Sequence, residues 1–304
     1  MHTKFRTHSV EADSVSRLMI GGNVFGHFAD YSQTRQILDV AFDSGLRAID
    51  TADVYSDGVS EEFIGNAILG RRNQWFIATK AGIKSGESTN GLGQRSTILK
   101  KVHASLKRLK TDVIDLYQLH NYDTITPIDE TVDVFSELIR RGDIRAAGVC
   151  NFIKSGAPVC PEGVPKEIEF FQEPINIISR NDWVQKIGDK RLIAYSVLHR
   201  GLLNSKYVTG IPLESRAAGS ESIRRDLSEC YLTRLKTCTA ICERFGTDIT
   251  SVAIAYVLNL NRTCKAIVGF RSVIQMQDML IKLNRPIPHE VVLVCRNIFA
   301  NGVK

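Results

Sequence analysis

The chain has 304 residues, 43% of them hydrophobic and 24% charged, the composition of a globular protein with a core of normal size. Lys and Arg number 39 against 33 Asp and Glu, a net charge of +6. The basic residues fall in short clusters (100–101, 107–110, 224–225) without interleaved aromatics, which argues against a nucleic-acid partner and suits an anionic cofactor or substrate.

Residues 15–22 (VSRLMIGG) read as a strand closed by paired glycines. Residues 31–44 carry apolar positions at helical spacing, and Gly45 is placed to end that helix. A β-prone run at 47–49 then delivers Asp50 and passes into a polar turn that contains Tyr55. Ser60 is the expected cap of the next helix. WFIATK (75–80) is a strand ending on Lys80, followed by a Gly/Ser-rich loop and a helix over 96–109. VIDLYQL (113–119) is a strand that leads into His120, and 127–141 is a helix started by Pro127 and stopped by Gly142. IRAAGV (144–149) runs into Cys150 and Asn151. The Pro/Gly-rich stretch 153–166 is not a long helix. Strands follow at 169–172, 191–195 and 265–268, with helices over 227–245, 250–259, 272–283 and 286–301, and a short helix between the sixth and seventh strands.

Strands alternating with helices over short connections imply a parallel sheet with right-handed crossovers. No GxGxxG follows the first strand, which disfavours a dinucleotide-binding doubly wound sheet. The expectation is a single-domain (β/α)8 barrel over residues 1–304, with an N-terminal strand or hairpin and a C-terminal outer helix. Seven cysteines at irregular spacing, with no CxxC pair, read as reduced thiols and offer no metal site. Residues 1–14 lack an apolar signal core and no apolar run is long enough to cross a bilayer, so a soluble cytoplasmic protein without a membrane partner is expected.

Taken singly, Asp50 reads as a loop cap, Tyr55 as amphipathic surface, Lys80 as a strand-end cation and His120 as a core histidine. In a barrel, however, the ends of the second, third and fourth strands share one mouth. The four groups together suit proton donation to a carbonyl. A free phenol, with pKa about 10, is a poor acid near neutrality. A neighbouring ammonium lowers that pKa, a carboxylate keeps the ammonium charged, and a histidine can orient the carbonyl oxygen. Tyr55 is thus the expected general acid, with Lys80 expected to lower its pKa.

At this point the sequence resembles the aldo-keto reductase family. The resemblance rests on IDTADVYSDG, IATK, DLYQLH, GVCN, the QEPIN run, AYSVLHRGLL and IVGFRSVIQ in order along most of the chain. It implies that Asp50, Tyr55, Lys80 and His120 form a catalytic tetrad. It also implies a nicotinamide dinucleotide, NADP(H) with NAD(H) as the alternative, and a small-molecule carbonyl or alcohol substrate. On the matching positions, Asn151 and Gln172 hold the carboxamide, and Tyr195 lies beneath the nicotinamide ring. Ser196, Leu198 and Gly201 follow the diphosphate, while Gly269, Arg271 and Gln275 surround the adenosine phosphate. Arg271 is the expected partner of a 2′-phosphate. The chain departs from the pattern at Cys150 (usually Ser), Val197 (usually Pro) and Met279 (usually Asn), and His199 adds an imidazole near the expected diphosphate path.

Two other functions fit the same residues. A cofactor-sensing regulatory or scaffold subunit would keep the barrel with little turnover, and a Schiff-base enzyme would use Lys80 as an amine. Substrate identity and oligomeric state are not legible. The substrate walls are expected from 23–28, 85–91, Tyr122 and 204–222.

Overall fold

The computed structural model describes residues 15–83, 87–154, 156–159, 164–179 and 181–300. Eight parallel strands close into a barrel. In chain order they are Leu18–Gly21 (β1), Ala48–Asp50 (β2), Phe76–Ala81 (β3), Leu116–Leu119 (β4), Ala147–Cys150 (β5), and, after a small hairpin of Ile153–Lys154 (β6) and Ala157–Pro158 (β7), Ile168–Pro174 (β8), Arg191–Tyr195 (β9) and Thr263–Val268 (β10). The barrel order is β1-β10-β9-β8-β5-β4-β3-β2. Around it lie helices Tyr31–Asp43 (α1), Val59–Ala67 (α2), Arg95–Leu109 (α3), Ile128–Arg141 (α4), Glu221–Arg224 (α5), Glu229–Arg244 (α6), Ile249–Asn259 (α7), Val273–Leu283 (α8) and His289–Ala300 (α9). The expected outer C-terminal helix is α9. The expected N-terminal strand or hairpin lies in residues 1–14, outside the described residues.

Helix ends follow local chemistry. Asp30 and Gln33 form a reciprocal capping box at the start of α1. Asp129 and Glu130 sit in the first turn of α4, Arg140 and Arg141 in its last, and Gly142 turns left-handed at its end, as the macrodipole and the αL cap favour. Ser60 corrects one expectation, because it does not cap α2. The cap is Gly58, at φ 93°, and an added Cβ there would lie 2.8 Å from the Arg108 side chain. Ser60 is instead buried inside the helix, where its hydroxyl donates to Gly22 O at 2.8 Å and meets the Thr51 hydroxyl, tying α2 to the ends of β1 and β2. Between β5 and β8 the β6–β7 hairpin replaces a crossover helix. Gly156 turns it at φ 73°, and Pro158 has no N–H to give a helix. The short connection expected between the sixth and seventh barrel strands is the 3-10 turn Asp182–Ile187.

The period-two alternation of strands puts polar residues above an apolar plug. Met19, Ala48, Ala78, Leu116, Ala146, Phe170 and Ile193 fill the lower lumen. The small residues among them make room for the large ones, as close packing requires. Two residues further along their strands come Gly21, Asp50, Lys80, Gln118, Gln172 and Tyr195, and β5 ends on Cys150. The same alternation that buries the plug therefore sends a carboxylate, an ammonium and two amides to one end of the barrel.

Candidate active site

An open cavity of about 900 Å³ occupies that end of the barrel. Asp50, Tyr55, Lys80 and His120 border it, and so do Asn151, Gln172, Tyr195, Ser196, Leu198, Gly201, Gly269, Arg271 and Gln275. Residues expected from motifs spread along the chain thus share one space.

Lys80 is fully buried, and its ammonium donates to both Asp50 oxygens at 2.8 Å and to Thr51 O at 2.7 Å. Burial pushes the Asp50 carboxyl above the usual carboxylate range, against the pull of Lys80 and of Gln172 Nε2, which donates to Oδ1 at 3.1 Å. Burial alone would lower the lysine pKa. Asp50, with smaller contributions from Tyr55 and Cys150, more than reverses this and holds Lys80 above its ordinary range. One ammonium donating to both oxygens of a carboxylate is the geometry of an ion pair, and a triply bonded lysine is not a free amine nucleophile.

Tyr55 follows β2 on a 3-10 turn whose Ser56 and Asp57 adopt positive φ. The Lys80 ammonium lies 5.3 Å from the centre of its ring. The His120 ring meets Tyr55 edge-on, 5.7 Å between centres. Lys80 does act to lower the Tyr55 pKa, as expected, but the net shift is upward. Burial pushes the phenol up to about 12; Lys80 pulls the other way, but Asp50 and Cys150 add to the rise. The loss of solvent around a fully buried phenol outweighs the pull of the nearby ammonium. Tyr55 is a phenol with its proton in place.

Burial, with Lys80 nearby, pushes His120 down to about 3, so its ring is neutral. Nδ1 is buried without a hydrogen-bond partner among the described residues. A neutral imidazole has a single N–H, and placing it on Nε2 leaves only a lone pair unmet inside the protein. That tautomer gives the cavity a donor.

Asn151 takes the left-handed conformation, at φ 61°, which asparagine tolerates better than most residues. Its Nδ2 donates to His120 O at 2.9 Å and to Cys150 Sγ at 3.3 Å, and its Oδ1 accepts from the Tyr195 hydroxyl at 2.6 Å. The turn is pinned from behind by buried Glu173, whose Oε1 accepts the Phe152 N–H at 2.6 Å. Burial pushes this carboxyl up to about 8 despite the backbone donors it gains. Cys150 keeps a hydrogen bond to Asn151, but burial pushes its thiol pKa up, so it is a packed thiol and not a reactive one.

At the far end of the cavity, Lys206, Arg216 and Arg271 converge. Lys206 and Arg216 lie in the 204–222 stretch expected to wall the cavity, but the sequence reading did not single them out as cofactor residues. Nothing local marks them, and they meet Arg271 only after the excursion following β9 folds back. None of the three has a carboxylate partner among the described residues. Burial and mutual repulsion lower the pKa of Lys206 and of Arg216. Arg271 lies 3.9 Å over the Phe28 ring and its backbone N–H donates to Gln275 Oε1 at 3.0 Å. Three unneutralised cations in one cavity wall fit a polyanionic ligand, and the donor set agrees with a phosphorylated dinucleotide.

His199 turns away from the cavity, toward Asp226 and Tyr231, while its neighbour Arg200 borders the cavity and pairs with Asp226. Of the expected substrate walls, Asn23 borders the cavity, whereas Phe25 is core and Tyr122 packs edge-on against Phe152. Of the wall expected at 85–91, residues 85 and 86 lie outside the described residues. Met279 and Val197 border the cavity and offer it no hydrogen-bonding side chain.

The family model for the Aldo/keto reductase family matches residues 17–298. Aldo-keto reductase YhdN of Bacillus subtilis (strain 168) is 30% identical over 271 residues, covering 86% of this chain and 81% of that protein. L-glyceraldehyde 3-phosphate reductase of Escherichia coli (strain K12) is 27% identical over 290 residues, with 86% and 81% covered. Among solved structures, the glycerol dehydrogenase AKR11B4 from Gluconobacter oxydans superposes with a TM-score of 0.76 at 28% identity, covering 94% of this chain and 92% of that one. The holo form of aldo-keto reductase AKR11C1 from Bacillus halodurans gives 0.72 at 27% identity, with 98% and 96% covered.

Proposed function

The chain belongs to the aldo/keto reductase family, oxidoreductases that act on small carbonyl compounds, and on that premise we propose that it uses NADP(H) to reduce an aldehyde or ketone of a small metabolite to the alcohol, or to run the reverse oxidation, with Tyr55 as general acid. The observation that carries this reading is the convergence of a protonated phenol, a neutral imidazole and a buried Lys80–Asp50 pair on one cavity.

A reduced nicotinamide, when bound, supplies the hydride. Tyr55 supplies the proton. An alkoxide is a far stronger base than a phenolate, so a phenol raised to about 12 still gives up its proton downhill to the oxygen of a reduced carbonyl. His120 Nε2–H orients that oxygen. Lys80 stabilises the phenolate left behind, and Asp50 keeps Lys80 charged and in place. Asn151, Gln172 and Tyr195 would hold the nicotinamide end, and Ser196, Leu198 and Gly201 the diphosphate. Gly269, Arg271 and Gln275, joined by Lys206 and Arg216, would hold the adenosine phosphates. Three cations without carboxylate partners support NADP(H) over NAD(H), because a 2′-phosphate adds charge to that end. The relatives' names, a glyceraldehyde phosphate reductase and a glycerol dehydrogenase, favour a small polyhydroxylated substrate such as a sugar.

The test is NADPH consumption against a panel of aldehydes and sugars. Tyr55→Phe is expected to lower kcat by about 10²–10⁴-fold while NADPH affinity stays within about twofold, since the phenol is not assigned to the cofactor. Full activity in Tyr55→Phe overturns the assignment. Tight NADPH binding with no turnover on any carbonyl would favour the cofactor-sensing subunit instead.

A further inference from the structure

Gln118 lies in the barrel lumen one step back from the cavity. It is fully buried and does not border that cavity. Its Nε2 donates to Gln172 Oε1 at 2.8 Å, and Gln172 Nε2 donates to Asp50 Oδ1 at 3.1 Å. Its own Oε1 is buried without a hydrogen-bond partner among the described residues. Gly148, its neighbour across β4 and β5, makes room for it: an added Cβ would lie 3.2 Å from Gln118 Cγ and 2.9 Å from Phe170 O.

Donor and acceptor directions along this chain follow from Asp50. An ionised carboxylate only accepts, so the group of Gln172 facing it must be Nε2. Gln172 Oε1 must then face away, and the group that meets it must be a donor. Gln118 supplies that donor, and its orphaned Oε1 is the consequence. An unpaired buried carbonyl is costly and uncommon, so its presence here is informative. Oriented this way, Gln172 keeps one N–H and one lone pair for a ligand, the complement of a carboxamide.

We propose that Gln118 is a positioning residue that holds the Gln172 amide in the direction Asp50 selects, by donating to its far oxygen, and so steadies the nicotinamide end of the cofactor seat without touching the cofactor. This rests on the assignment of Gln172 to a nicotinamide dinucleotide under the proposed function. Removing the donor with Gln118→Met leaves Gln172 Oε1 unpaired and the amide held by Asp50 alone, so its position loosens. Gln118→Glu goes further: an ionised carboxylate repels Gln172 Oε1 and competes with Asp50 for the amide N–H groups, which displaces the amide. Once protonated, the introduced carboxyl donates to the same Oε1 and restores the original direction.

The experiment measures binding of NADPH and of 2′,5′-ADP, a probe of the adenosine end alone, to the wild type and both variants across a pH series. NADPH binding is expected to weaken about tenfold in Gln118→Met, with 2′,5′-ADP unchanged within about twofold, which also reports an intact fold. In Gln118→Glu, NADPH affinity is expected to recover as the pH falls, whereas Gln118→Met shows no such recovery. Asp50, Tyr55, Lys80, His120 and Cys150 surround the relay in both variants, so the difference between them isolates the introduced carboxyl. Unchanged NADPH binding, equal weakening of both ligands, or matching pH responses in the two variants overturns the proposal. A wild type that binds neither ligand overturns the NADP(H) reading itself.

Discussion

Replacing Asp50 with Asn removes the charge that keeps a fully buried lysine ionised. In the wild type, Lys80 Nζ makes its bonds at 2.8, 2.8 and 2.7 Å, two of them to the carboxylate. Stranding a buried ammonium costs about 3–5 kcal/mol. The variant has a cheaper route, which is to fold with Lys80 neutral. The ordinary lysine value is 10.5. Deprotonation from there to pH 7.5 spans about three units, or ~4 kcal/mol at about 1.4 kcal/mol per unit. The predicted loss at pH 7.5 is thus ~3–4 kcal/mol.

The pH dependence has a definite sign. The wild-type Lys80 pKa is raised in the folded state, so its contribution is fully present below 10.5 and is lost only as pH climbs through the higher folded value. In Asp50→Asn burial acts unopposed and depresses the folded pKa. The unfolded chain then binds more protons, and the variant gains stability as pH rises toward 10.5. The gap between the two proteins should narrow by up to ~1.4 kcal/mol per pH unit between about 7.5 and 9.5. Guanidinium unfolding at both pH values measures it. A gap below about 1 kcal/mol at pH 7.5, or one that does not change with pH, refutes the reasoning. The double variant Asp50→Asn/Lys80→Met should recover much of the loss, because no buried charge remains.

His120 folds neutral, with its pKa pushed down to about 3 from 6.5, so the unfolded state binds the extra proton between those values. Wild-type stability should fall as pH drops below 6.5, by up to ~1.4 kcal/mol per unit, and His120→Gln should flatten that part of the curve in thermal unfolding; parallel curves would refute it. Arg271→Ala should weaken NADPH by about 10–100-fold and NADH by no more than about twofold, measured as Kd, because the guanidinium is assigned to the extra phosphate; equal losses would place it elsewhere on the dinucleotide.

The barrel and the four catalytic candidates were legible in the sequence because they follow local rules. Short β-prone runs alternating with helices over short connections imply a parallel sheet, and a parallel barrel gathers its strand ends. Asp50, Lys80 and His120 stand at or beside those ends, so their meeting follows from topology before any distance is known. Other features depend on contacts that no local pattern encodes. Lys206 and Arg216 become a cation cluster only when the excursion after β9 returns to Arg271. His199, a candidate for the cavity by position, is drawn aside by Asp226. Ser60 looks like a cap, but Gly58 and Arg108 claim that geometry. Gln118 was read only as one residue of a strand motif, and its donor finds Gln172 across the lumen.

The Tyr55 pKa shows the division best. Which residues surround the phenol was readable from strand order. Whether the phenol's pKa falls or rises in sum depends on how the pull of Lys80 compares with the depth to which the ring is buried. The sequence by itself therefore determined the fold and the chemical groups at its mouth, since both come from near-neighbour periodicity. Only the tertiary structure decided their charge states, the direction of the hydrogen bonds and the cations at the far end, because desolvation and through-space fields depend on residues far apart in the chain.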